Sequence, residues 1–142
     1  MDATRQAIEL TRRVGRREQM LSATANFGYN GFLAGKWDEG ADAVDAALAE
    51  EAPARDRMML LNNSLIIRAG RGEDVQDGLA EMSRLATGLS GADVLATVAD
   101  PTANAAMARG EFKTARDQFM NRCRSIVWSR ARWPRWTPEL PG

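Results

Sequence analysis

Histidine is absent from this 142-residue chain, and cysteine occurs once, at Cys123. Without histidine, no Ser–His–Asp or Cys–His nucleophile system can form. The usual zinc sites need several His or Cys ligands, which the sequence does not supply. A lone cysteine cannot close an intrachain bridge, so a disulfide scaffold is excluded. Long apolar runs are missing as well. None exceeds Met58-Met59-Leu60-Leu61, which Asn62-Asn63-Ser64 separates from Leu65-Ile66-Ile67. A membrane span needs ~20 apolar residues in succession. The opening Met1-Asp2-Ala3-Thr4-Arg5 has no apolar leader, so a cytoplasmic location is expected. Lysine is scarce, with arginine making up 17 of the 19 basic residues.

What remains is enough for one ordinary domain, burying roughly 70% of the unfolded surface. Nineteen acidic residues balance the nineteen basic ones, but unevenly along the chain. Residues 1–35 carry five basic and three acidic groups, residues 36–100 six and thirteen, and residues 101–142 eight and three. An acidic middle between basic ends predicts opposed surface patches.

Helix formers dominate and no alternating strand pattern persists, so the fold class is all-α. The periodicity predicts helices near 3–14, 17–34, 38–51, 54–69, 73–87, 92–109 and 111–127. Gly15, Gly35, Gly70, Gly88 and Gly110 stand at or just past helix ends, where a left-handed cap favours glycine. Asp100-Pro101 reads as an N-cap followed by a first-turn proline, which would break or kink the sixth helix. Trp37, Ala41, Val44 and Leu48 form one apolar stripe, and Asp38, Asp42 and Asp45 mark the solvated side of that helix. Phe112, Ala115, Phe119, Cys123 and Ile126 form a second stripe, which predicts a buried, unreactive thiol.

Three segments repeat a pattern: Leu33-Ala34-Gly35-Lys36-Trp37, Arg68-Ala69-Gly70-Arg71-Gly72 and Ala108-Arg109-Gly110-Glu111-Phe112. Each has a helix ending at glycine, a very short turn and an acidic helix start. One helical hairpin cannot bury its apolar face alone, so the repeat predicts hairpins stacked on a shared core. Gly28, Gly31 and Gly40 would allow close approach within a hairpin, which offsets their poor helix propensity.

These residues resemble the tetratricopeptide repeat, a helical hairpin of about 34 residues. Gly28 and Gly40 match its paired small positions, Phe27 the large residue before the first, and Val44 and Ala47 apolar positions of the second helix. Ala103, Ala115 and Phe119 match in a third unit, while Asn62 and Asn63 depart from the pattern in the second. The phrase Gly35-Lys36-Trp37-Asp38-Glu39-Gly40 is also similar to a turn in the C-terminal repeat regions of large bacterial signalling proteins. In those proteins the repeats follow cyclase or transcription-regulator and ATPase modules. Residues 7–15 look like the second helix of a preceding repeat, as in a piece of a longer array. The resemblance implies a short α-solenoid over residues 1–127 with six to seven helices. It also implies a non-enzymatic interaction or scaffolding role towards a peptide or neighbouring domain. No cyclase signature or phosphate-binding loop carries over, and neither a cofactor nor a metal ion is expected.

By repeat register, the partner-facing positions are Ser22, Ala25, Tyr29 and Phe32 in the first unit. They are Arg57, Leu60, Ser64 and Ile67 in the second, and Thr97, Asp100, Asn104 and Met107 in the third. Residues 128–142 form an Arg/Trp/Pro-rich tail, expected to cap the array or to be disordered. Its Arg130, Arg132, Trp133, Arg135 and Trp136, with Arg12, Arg13, Arg16 and Arg17, support an alternative as a nucleic-acid-associated regulatory module. Carboxylate-only catalysis would fall to Glu50, Glu51 and Asp56, which nothing in the sequence orders into a site.

Overall fold

A computed structural model describes residues 1–89 and 92–130, with side chains described except at 92–93, 95–96 and 125–130. Among these residues there are seven α-helices and no strand. They are α1 (Asp2–Arg13), α2 (Arg17–Leu33), α3 (Trp37–Leu48), α4 (Ala54–Gly70), α5 (Gln76–Thr87), α6 (Ala92–Ala108) and α7 (Phe112–Arg130). The fold is all-α, as the periodicity predicts. The last helix runs three residues past the expected boundary at 127, and the tail from 131 lies outside the described residues. No helix among the described residues is long and apolar enough to cross a membrane.

Four turns share one geometry. Gly15, Gly35, Gly72 and Gly110 take φ values of 69°, 70°, 75° and 75°. In each, the glycine N–H bonds the carbonyl three residues back, as in Gly35 to Phe32 at 3.3 Å. The following N–H bonds the carbonyl five residues back, as in Lys36 to Gly31 at 2.8 Å and Glu73 to Arg68 at 3.0 Å. This Schellman arrangement satisfies the last carbonyls of the helix and needs the left-handed conformation that glycine adopts without a Cβ penalty. Two expectations are corrected here. Gly70 is the last residue of α4, the left-handed turn falling on Gly72, and Gly88 has an ordinary φ of −88°.

Helices α2 and α3 pair, as do α4 and α5, and α6 and α7. Helix α4 also packs against α2, α3 and α6, and α6 against α5, while α1 packs on α2. The α2–α3 crossing explains its glycines. A Cβ on Gly28 would lie 2.5 Å from Val44 Cγ2, and one on Gly40 would lie 3.1 Å from the Gly28 carbonyl oxygen. In the next pair the sizes reverse: Leu65 fills the crossing and Gly78 yields, a Cβ there falling 2.3 Å from Leu65 Cδ2. Ala103, Ala106 and Ala115 are all buried on α6 and α7.

Helix α4 is the centre of the core. Met58, Leu61, Leu65 and Ala69 join Val75, Met82, Val94 and Ala105 in one cluster. Leu60 joins Leu21, Ala25 and Val44 in a second. A helix apolar on nearly every side must be surrounded, and α4 is. Asn63, buried in that interface, donates to the Ala25 carbonyl at 2.8 Å and to the Met59 carbonyl at 3.2 Å. A buried amide needs such partners, and here one of them fixes α4 against α2.

Helix α6 runs unbroken through Pro101, which is buried inside it. The expected break does not occur: Asp100 lies within the helix, and its carboxylate pairs with Arg122 Nε of α7 at 2.9 Å instead of capping a new helix start. Side chains beyond the proline bond carbonyls before it, Thr102 Oγ1 to Val98 at 2.9 Å and Asn104 Nδ2 to Asp100 at 2.9 Å.

Candidate functional site

Helices α3 and α5 both pack on α4 but do not touch each other. The gap between them is an open groove of about 580 Å³. Leu61, Ser64, Leu65 and Arg68 of α4 form its floor, Asp45, Leu48 and Ala49 one wall, and Asp74, Val75, Asp77 and Gly78 the other. It is the product of three elements spaced across the acidic middle of the sequence.

Each wall is held by α4. Asp45 accepts from Ser64 Oγ at 2.9 Å through one oxygen and from Arg68 Nη2 at 2.8 Å through the other. Arg68 Nε donates in turn to Ser64 Oγ at 3.2 Å. Arg57 reaches both walls: its Nη1 donates to the Leu48 carbonyl at the end of α3 at 3.0 Å, and its Nε to Glu81 of α5 at 2.6 Å. A guanidinium at a helix C-terminus satisfies an orphan carbonyl and suits the dipole there. Asp38 of α3 is paired with Arg71 at 2.5 Å. The Asp38/Asp42/Asp45 row is therefore only in part a solvated face, since two of its members tie α3 to α4 and its following turn.

On the α5 wall, Asp74 Oδ1 accepts the Gln76 N–H at 3.0 Å, an Asx-type turn just before the helix. Asp77 lies in the first turn, where the helix dipole favours an anion. Neither Asp74 nor Asp77 forms an ion pair among the described residues. No group of three or more His, Cys, Asp or Glu residues that could hold a metal ion occurs among them.

The twelve register-based candidates scatter. Ala25, Leu60 and Ile67 are buried in the interior, so these three present no surface to a partner, while Ser64, also buried, lies in the groove floor with its hydroxyl held by Asp45 and Arg68. Phe32 is half-buried and stacks on Trp37 at 5.9 Å, with Trp37 Nε1 donating to its carbonyl at 3.0 Å. Arg57 is the clasp just described. Asp100 is paired with Arg122, and burial raises its pKa above the ordinary 3.8 while Arg122 opposes the rise. Ser22, Thr97 and Asn104 are half-buried, and Tyr29 and Met107 are exposed. Tyr29 and Met107 lie on α2 and α6, which share no contact.

The second unit fails because α4 is enclosed by its neighbours: the register set by Gly70 puts Leu60 and Ile67 in the interior, and the register set by the matching turn at Gly72 meets Ile66 and Ala69, which are buried as well. Of the residues that line the groove, the sequence marks Asp45 only as one of a solvated row and Ser64 only as a register position, and Arg68, Asp74 and Asp77 carry no signal there beyond the charge of the acidic middle.

Cys123 is exposed, not buried. The stripe that contains it buries Ala115 but leaves Phe112 exposed, so it is not one continuous buried face. Of the N-terminal arginines, Arg13 pairs with Glu9 and Arg17 with Glu50. Arg132, Trp133, Arg135 and Trp136 lie outside the described residues, and of Arg130 only the backbone is described. Comparison with family models, curated proteins and solved structures gives no match to this chain.

Proposed function

We propose that this chain is a non-enzymatic protein-interaction module, a short tetratricopeptide-like stack of helical hairpins that binds a peptide or neighbouring domain. The observation that carries this reading is the recurrence of one hairpin plan. Helices α2, α4 and α6 are each 17 residues long. Each ends in a left-handed glycine turn, the glycines falling 37 and 38 residues apart at Gly35, Gly72 and Gly110. Each first helix packs on the next first helix, and each second helix on the first helix that follows it. Neighbour-only packing of this kind exposes a large surface for its mass and suits recognition. The resemblance implies that such a module serves in a signalling or regulatory protein. Peptide display against the full chain tests the reading. The expected result is a family of related peptides; no enrichment over an unrelated helical control protein would argue against it.

The second reading, a nucleic-acid-associated module, draws on Arg12 and Arg16, both exposed and without an ion pair among the described residues. Titration with single-stranded DNA separates the two. Binding that weakens steeply with salt would favour it, and none at low salt would remove it.

A further inference from the structure

We propose that the groove between α3 and α5 binds an arginine-bearing peptide segment of a partner protein. The inference rests on the interaction-module reading and names its site and the chemistry of its partner.

Charge is the first argument. Three carboxylates line the groove, at Asp45, Asp74 and Asp77, against one guanidinium, Arg68. Asp45 is already matched by Arg68 and Ser64. Asp74 keeps an oxygen beyond the one that accepts the Gln76 N–H but already faces the Arg109 guanidinium, so Asp77, with no hydrogen bond or ion pair among the described residues, is the carboxylate left unmatched. A cation is therefore the ligand that the groove can take without an unpaired like charge.

Shape and spacing then select the kind of cation. The carboxylates do not converge into a set that could hold a metal ion, so the charges must be met at separate points by a longer molecule. Between them the half-buried Leu48 and the exposed Ala49, lying over the buried Leu61, Leu65 and Val75, give a narrow apolar strip suited to methylene stems beneath a charged head. Arg68 already shows the fit, its guanidinium held by a carboxylate and a hydroxyl at the edge of that strip. Guanidinium groups match carboxylates in a planar, two-point geometry that an ammonium lacks. A peptide presenting arginines among apolar residues satisfies both parts of the lining.

The test uses the full chain and a short fluorescent peptide of alternating arginine and leucine, followed by anisotropy. The same peptide with glutamate for arginine, and spermine as competitor, run in parallel. The expected result is binding of the arginine peptide only, weakened by salt and not displaced by equimolar spermine. Asp74→Asn with Asp77→Asn should lower the affinity by roughly tenfold or more. Asparagine keeps the acceptor for the Gln76 N–H at position 74, so an unchanged thermal midpoint would show that the double variant is folded. Equal binding by wild type and double variant, equal binding of the glutamate peptide, or displacement by equimolar spermine would each overturn the proposal. Peptide families from display that bind both proteins equally would leave the interaction module standing and remove the groove from it.

Discussion

Asp100 is a carboxyl that folding makes harder to ionise, because burial withdraws it from water more than Arg122 compensates. Its folded pKa therefore lies above the unfolded value of 3.8. At neutral pH the ionised group subtracts from stability. The subtraction fades as pH falls through the raised pKa and is gone below the unfolded one. Asp56 is raised in the same way, first by burial and then by Glu18. Glu111 has the opposite sign: the hydrogen bond from Arg109 lowers its pKa, so its contribution is present above 4.5 and is lost as pH falls through the lowered value. Asp100→Asn separates the first effect from the others. At pH 7 the variant should unfold within about 1 kcal/mol of wild type, because a half-buried pair returns little net stability. Wild type should gain on the variant as pH is lowered towards 4. Urea unfolding at several pH values reads both, and a variant several kcal/mol weaker at pH 7 would assign the larger effect to the ion pair.

The helix ends show how far local chemistry reaches. Helix limits read from periodicity fall within about three residues of those observed, because caps and turns act over a few residues. The glycines separate by backbone conformation, which composition does not reveal. Gly72 has a φ of +75°, whereas Gly88 has a φ of −88° and a Cβ there would meet only the Leu85 carbonyl oxygen, at 3.7 Å. Gly72→Ala should cost about 1 kcal/mol through left-handed strain. Gly88→Ala should be neutral or stabilising by up to about 1 kcal/mol, since it restricts only the unfolded chain. Thermal unfolding of the two variants checks the contrast, and equal effects would contradict it. The turn before α5 is also longer than its counterparts: Glu73, Asp74 and Val75 separate Gly72 from the helix, against Lys36 alone after Gly35 and Glu111 alone after Gly110. That insertion hid the repeat register of the second unit and supplied Asp74 to the groove.

Across the molecule, stability follows the packing order. Helix α4 has nine buried residues and touches α2, α3, α5 and α6, whereas α1 buries none and packs on α2 alone. Exposed large apolar side chains occur on α1, α2, α6 and α7, with Leu33 and Phe112 64% and 70% exposed, and none on α3, α4 or α5. Local opening requires little where few apolar contacts are lost. Amide hydrogen exchange should therefore be slowest along α4 and fastest in α1; uniform protection would contradict this order. The acidic middle predicted from charge counts becomes a physical feature here, since α3 and α5 bring Asp45, Asp74 and Asp77 to one groove.

Sequence alone determined the all-α class, the seven helices of the described residues with nearly all their limits, and the lack of histidine chemistry. Those properties depend on contacts within a turn or on composition. Tertiary structure decided which face of each helix is inside. It turned Asn63 from a departure in the repeat pattern into a buried link to Ala25, and Asp45 from a solvated carboxylate into the partner of Arg68. It also moved Leu60 and Ile67 from a binding face into the interior. The physical reason is that burial is set by neighbours far along the chain, as Ala25 is for Asn63, and neither composition nor spacing within a helix reveals which neighbours those are.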